Sequence, residues 1–352
     1  QFRIKRTVTT LHKFQTQNEC SVMCRKYCTS LDQNNTKNIT QTKSETAHMY
    51  WLLENSVHYE NLLSFPITVK MHISDERAEE LINTDWSSSD EQSIFVALKH
   101  ITYNHMNTGK VFSAEEYDKI LKALIPMLPR YTDTELKNIL KYLRPFHIKI
   151  KKCQHYLEFM KVMSRECYRR FSSSVDNILS VCDMLYNLKA QESEFFWRGM
   201  RKLGDRVTKL TSKQFVLFLF LLSTYKNRQI NMYDVEYRLQ ECMHDISVDE
   251  LGIISLAFFK NMKRISNPTI VSHMIKKLID GANTVDSISL ASSMKVLRYS
   301  TKLQEISTFR LLLNALLPNT ERLSTMCLTH ISHACANILV YEEQLMNKIM
   351  ER

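Results

Sequence analysis

Cys20, Cys24 and Cys28, recurring at every fourth position, are the first residues in the chain whose type and spacing suggest chemistry. Thiolates bind zinc, but zinc sites place cysteine pairs two to four residues apart with a second donor pair downstream, and no second pair follows here. Three cysteines on one face of a short helix, or in a tail, is the commoner meaning of that spacing. His330 and His333 lie three apart, with Cys327 three residues earlier, and form a second conceivable donor set. On an apolar helix face such histidines are more often packed or hydrogen-bonded than ligating, so no metal and no cofactor is expected. No Ser-His-Asp or Cys-His arrangement can be assigned. The five glycines (Gly109, Gly199, Gly204, Gly252 and Gly281) form no phosphate-covering loop, and HRD and DFG segments are absent. An enzyme is not expected from these residues.

Basic side chains are the stronger candidates. Lys141 and Arg144, Lys226 and Arg228, Lys260, Lys263 and Arg264, and Lys295 and Arg298 recur near the ends of successive helical patterns. Repeated at equivalent positions, they would align along one edge of an array and offer a track to a phosphate backbone. The competing explanation is that cations at helix C-termini complement the helix dipole and solvate the turn. A further cluster, Arg198, Arg201, Lys202, Arg206, Lys209 and Lys213, follows the aromatic triplet Phe195-Phe196-Trp197. Aromatic rings stack on bases, but a triplet within a helix is more often core.

The elements that must position these residues form a repeat. Six segments open with Ser or Thr, continue through polar residues and enter an amphipathic run; they begin at Thr132, Ser174, Thr211, Ser247, Thr284 and Ser324. Asp90 opens an earlier, degenerate copy. Ser, Thr and Asp cap the free N–H groups of a first helical turn, and acids such as Glu135, Asp176 and Glu250 favour its positive end. Apolar residues then fall at i, i+3, i+4 and i+7, as in Leu136, Ile139, Leu140 and Leu143, which lays a stripe on one helix face. The period of about 36–42 residues fits two helices and two short turns. Second helices are visible around Asp118–Ile125, His155–Met163, Tyr233–Leu239 and Ile270–Leu278. One hairpin cannot bury both faces, so stacked copies share a core. The expected fold is all-α, an α-solenoid of tandem helix-hairpin repeats.

With 5 Gly and 6 Pro in 352 residues, a turn-rich sheet fold is excluded. The net charge of +10 suggests an acidic partner. Residues 1–45 hold 8 basic and 3 acidic side chains, so half of that charge sits in a Ser/Thr-rich N-terminal segment. Its composition is shared by mitochondrial targeting segments and disordered tails. The expected organisation is this segment (1–45), a helical lead-in (46–89) and the repeat array (90–352). No apolar run is long enough for a membrane span. The nine cysteines form no disulfide framework and fit reduced core thiols.

The stretch Asp249-Glu-Leu-Gly-Ile-Ile-Ser-Leu-Ala-Phe-Phe-Lys260, with the related openings Asp133–Leu143 and Asp286–Leu297, resembles the FAST kinase domain-containing family of mitochondrial RNA-associated proteins. The resemblance covers roughly residues 85–340 and rests on helix-surface patterns. It implies a helical-repeat protein of the mitochondrial matrix that binds single-stranded RNA and acts in the processing, maturation or stability of mitochondrial transcripts, alongside other mitochondrial RNA-processing proteins. The small RAP domain that closes those proteins has no counterpart in these 352 residues. An adaptor binding protein partners without RNA contact is one alternative expectation. A nuclease whose active site lies in a further C-terminal domain is the other.

Overall fold

The computed structural model describes residues 44–63, 67–225 and 230–351. Among these residues all regular structure is helical, which establishes the expected all-α class. The chain forms two compact units that cut across the boundaries expected at residues 45 and 89. One unit joins helix α1 (Glu45–Glu54) to the chain from Val207 onward, and the other is Ser56–Arg206. The lead-in is thus divided, because α1 finds its apolar partners far along the sequence.

The Ser56–Arg206 unit is built from α2 (Asp75–Asn83), α3 (Glu91–Thr108), α4 (Ala114–Met127), α5 (Asp133–Leu143), the single turn α6 (His147–Ile150), α7 (Tyr156–Phe171), α8 (Val175–Asn187) and α9 (Glu194–Gly204). Helices α3, α5 and α8 lie side by side in one layer; α2, α4, α7 and α9 form the other. The unit that includes α1 holds α10 (Ser212–Thr224), α11 (Met232–Cys242), α12 (Val248–Lys260), α13 (Pro268–Asp280), α14 (Ser287–Ser300), α15 (Ile306–Leu316), α16 (Thr325–Ile338) and α17 (Glu343–Met350). Here α10, α12, α14 and α16 make one layer, and α11, α13 and α15 the other. Within each unit, first helix packs on first helix and second on second, as stacked hairpins require.

The caps are where the sequence places them. Asp90, Thr132, Ser174, Thr211, Ser247 and Ser324 each accept a backbone N–H of the first turn. Thr132, Thr211 and Ser247 complete reciprocal capping boxes with Glu135, Gln214 and Glu250, each cap contributing about 1 kcal/mol. One start moves. The helix expected from Thr284 is capped by Asp286, whose carboxylate takes the N–H groups of Ile288 and Ser289, both at 2.9 Å. Thr284 instead closes the preceding turn, its N–H reaching the Gly281 carbonyl at 3.0 Å. A carboxylate beats a hydroxyl for two donors at the positive end of a helix.

First turns of neighbouring repeats are also tied to one another. Gln92 donates to Glu135 (2.7 Å), Lys137 to Asn177 (2.8 Å), Lys213 to Glu250 (2.6 Å) and the Asp286 N–H to Asp249 (2.7 Å). These links join residues 37 to 43 apart, one repeat length. At the opposite end, α8, α12 and α16 each close with a left-handed residue: Lys189 (φ 59°), Met262 (φ 55°) and Leu339 (φ 60°). The next N–H then reaches five residues back, as from Lys263 to the Phe258 carbonyl at 3.0 Å. Glycine usually fills that position. A side chain there costs about 1 kcal/mol, and without glycine the turn leaves no mark in the sequence.

The central first helices are buried all round, at Phe215–Ser223 of α10, Glu250–Phe258 of α12 and Ser289–Leu297 of α14. A one-sided stripe cannot account for that. Helix α1 covers the remaining face by lying across all three. Its Met49, Tyr50 and Leu53 are buried, and the Tyr50 ring stands 5.4 Å from that of Phe220.

Candidate nucleic-acid interface

Met262, at the left-handed end of α12, turns the chain so that Lys263 and Arg264 project into the loop before α13. The loop is pinned on two sides. Glu236 of α11 accepts the N–H of Ser266 at 3.0 and 3.1 Å and that of Asn267 at 2.9 Å. The Ile265 N–H is held at 3.0 Å by the Ser300 hydroxyl at the end of α14. Lys263 and Arg264 therefore stand on a fixed scaffold although both side chains are exposed.

Opposite them, Arg298 lies in the last turn of α14. Its guanidinium sits 4.4 Å from the Tyr299 ring centre and 5.8 Å from that of Phe259. Its Nε is buried without a hydrogen-bond partner among the described residues. Lys263, Arg264 and Arg298 make no ion pair with a carboxylate among the described residues. An arginine oriented by rings rather than by an acid keeps its remaining planar donors for an outside anion.

These side chains line a cleft of about 820 Å³ together with Met232, Tyr233, Met262 and Lys295. Tyr233, Met262 and Tyr299 are 80%, 86% and 56% exposed, large apolar surfaces left open at its rim. The volume falls within the roughly 300–1,000 Å³ typical of ligand sites. A smaller cleft, between α7 and α9, holds Lys161, Arg165 and Arg198 beside Glu158 and Glu194. There Arg198 pairs with Glu194 at 2.7 Å, so its charge is largely matched.

Four of the nine cations expected to meet RNA thus converge at one place: Lys263, Arg264, Lys295 and Arg298. Two of the set are engaged by α1, the near-buried Lys295 and the exposed Lys260. The Lys295 ammonium, on a residue only 8% exposed, meets both Glu45 oxygens of α1 at 2.8 Å. Lys260 donates to the Thr46 hydroxyl of the same helix. Lys141 and Arg144 belong to the Ser56–Arg206 unit, at the end of α5, where burial pushes the Lys141 pKa down. Lys226, Arg228, Cys20, Cys24 and Cys28 lie outside the described residues.

Sequence reasoning missed Tyr233 and Tyr299. The available signal was an aromatic residue adjoining the last-turn arginine in Leu297-Arg298-Tyr299. Of the aromatic triplet, Phe195 and Phe196 are core, and only Trp197 reaches the surface.

Glu45→Gln is expected to lower stability by about 2 kcal/mol, because it leaves the Lys295 ammonium near-buried and uncompensated. A shift in the urea midpoint at unchanged slope is the check; a midpoint within error of wild type would show the pair to be dispensable.

His330 and His333 face one another on α16, ring centres 6.0 Å apart. Among the described residues no three His, Cys, Asp or Glu side chains gather in metal-binding fashion, and burial pushes the Cys327 thiol up to about 12. His330 is half-buried, and its Nδ1 has no hydrogen-bond partner among the described residues. Burial first, then Lys295, His333 and Arg298, lower its pKa from 6.5 to about 4, against a small opposing effect of Glu45.

The neutral ring is therefore the folded form, and the unfolded chain binds the extra proton between those values. Stability from this site is complete above pH 6.5, falls with pH, and is lost below pH 4. Between pH 7 and pH 5 wild type should lose about 2 kcal/mol more than His330→Gln. Parallel urea titrations at the two pH values would show it. Equal losses in both proteins would refute the assignment.

No protein-family model matches the chain, and no curated protein matches its sequence. Fold and cleft together define a helical-repeat protein with a basic, aromatic-walled surface site, and no described helix is long and apolar enough to cross a membrane.

Proposed function

We propose that the chain binds single-stranded RNA at this cleft, and that the RNA is a mitochondrial transcript whose processing, maturation or stability it controls in the matrix. One observation carries the binding reading. Three cations without carboxylate partners among the described residues, Lys263, Arg264 and Arg298, share a cleft with exposed tyrosines. Cations supply the sequence-independent attraction to phosphate, and rings supply a surface for bases. The choice of mitochondrial transcripts is supported by the resemblance of Asp249–Lys260 and its related openings to FAST kinase domain-containing proteins. The activity proposed is recognition, with strand cleavage left to other proteins.

Fluorescence anisotropy with a labelled single-stranded RNA, titrated across salt concentrations, tests the proposal. Affinity should fall steeply as salt rises, because each phosphate neutralised releases condensed counterions. Absent or salt-independent binding by folded protein would overturn it and favour an adaptor for protein partners.

A further inference from the structure

Resting on that reading, we infer that the cleft seats one nucleotide lifted out of the strand's base stack, with its base against the tyrosine walls and its flanking phosphates on Lys263, Arg264 and Arg298. The walls come from separate elements: Tyr233 from the first turn of α11, and Tyr299 from the last turn of α14. Both side chains are mostly exposed, at 80% and 56%, so each offers open ring surface. Arg298 already lies on the Tyr299 ring at 4.4 Å. A base added to a guanidinium–phenol pair extends a stack of a kind common in RNA recognition.

The requirement for an unstacked base follows from the walls. In a duplex both faces of every base are hidden by neighbours, so an aromatic wall gains nothing from it. A base in a single strand can turn out of its stack at small cost. Among the described residues Glu236 is the one carboxylate lining the cleft, and its two oxygens accept the Ser266 and Asn267 N–H groups. Near-buried and held by these loop N–H groups, it is poorly placed to read the edge of a base. The cleft selects strands for being unpaired more than for their sequence.

The test compares wild type, Tyr233→Leu, Tyr299→Leu and Tyr299→Phe by anisotropy on four probes. These are an eight-nucleotide single-stranded RNA, the same length of abasic ribose-phosphate strand, an RNA duplex, and adenosine monophosphate as competitor. Each leucine variant should bind the single strand about five- to tenfold more weakly with an unchanged salt slope. Tyr299→Phe should bind as wild type. The abasic strand and duplex should bind weakly and equally to all four proteins.

Both tyrosines are exposed, so the variants are expected to fold, and a thermal melt confirms it. Leucine variants that match wild type on the single strand, or that lose as much on the abasic strand, would overturn the nucleotide seat while RNA binding stands. Adenosine monophosphate binding as tightly as the oligonucleotide would overturn the strand and leave a free-nucleotide site. Failure of wild type to bind any strand would overturn the proposed function itself.

Discussion

Gly252→Ala is expected to destabilise the protein by about 3 kcal/mol, at the upper end of what overpacking costs. The sign is opposite to the usual one, because replacing glycine by alanine inside a helix ordinarily gains about 0.5–1 kcal/mol. Gly252 lies in the second turn of α12, where that helix crosses α14. A Cβ there would meet the Ser289 Cα at 2.5 Å, its Cβ at 2.7 Å and its Oγ at 2.9 Å. The nearest of these is backbone, which no rotamer change moves, so the methyl group must push α12 and α14 apart. Both helices are buried on every side, and separating them loosens contacts along their length. Urea unfolding should show a lower midpoint at unchanged slope. Adding Ser289→Gly should restore little, since the Cα remains. A neutral or stabilised Gly252→Ala would mean that the helices do not meet at this residue.

The second large effect is on binding. Replacing Lys263, Arg264 and Arg298 together by Ala is expected to weaken single-stranded RNA binding about 100-fold at low salt, or close to 3 kcal/mol. That is about fivefold for each cation, taken as roughly additive. The logarithmic salt dependence should flatten by about 2, since single strands lose about 0.7 per phosphate contact removed. Stability should barely change, because none of the three is paired with an acid among the described residues and two are exposed. Arg298→Lys alone is the sharper probe. It keeps the charge but loses the planar group held on Tyr299, so affinity should fall with little change in slope. A triple variant that binds RNA as wild type does would remove this cleft from consideration as the interface.

Much of the scaffold was legible in the chain. Capping residues at near-regular spacing, each followed by apolar residues at helical intervals, locate the first helices, because caps and stripes act through neighbours within a turn or two. The same locality explains the error at Thr284. Both Thr284 and Asp286 are competent caps, and only the Gly281 turn decides between them. The cations of the cleft were legible as recurring basic residues at helix ends. The tyrosines were not, since an aromatic residue in an amphipathic helix reads as core until its surroundings are known.

The sequence by itself determined an all-α chain of capped, amphipathic hairpins and the cation positions along it, all properties set by residues close together in the chain. The tertiary structure alone decided which of those cations are free to meet a ligand. Helix α1 returns to lie on α10, α12 and α14, and its Glu45, 250 residues from Lys295, neutralises that ammonium, while its Thr46 hydroxyl accepts from the exposed Lys260. Lys263, Arg264 and Arg298 are left open, because the left-handed turn at Met262 and the rings around Arg298 hold them in a cleft that α1 does not line. Local pattern carries no information about such a partner, since the apolar face that attracts it and the helix that covers it are joined only in the folded chain.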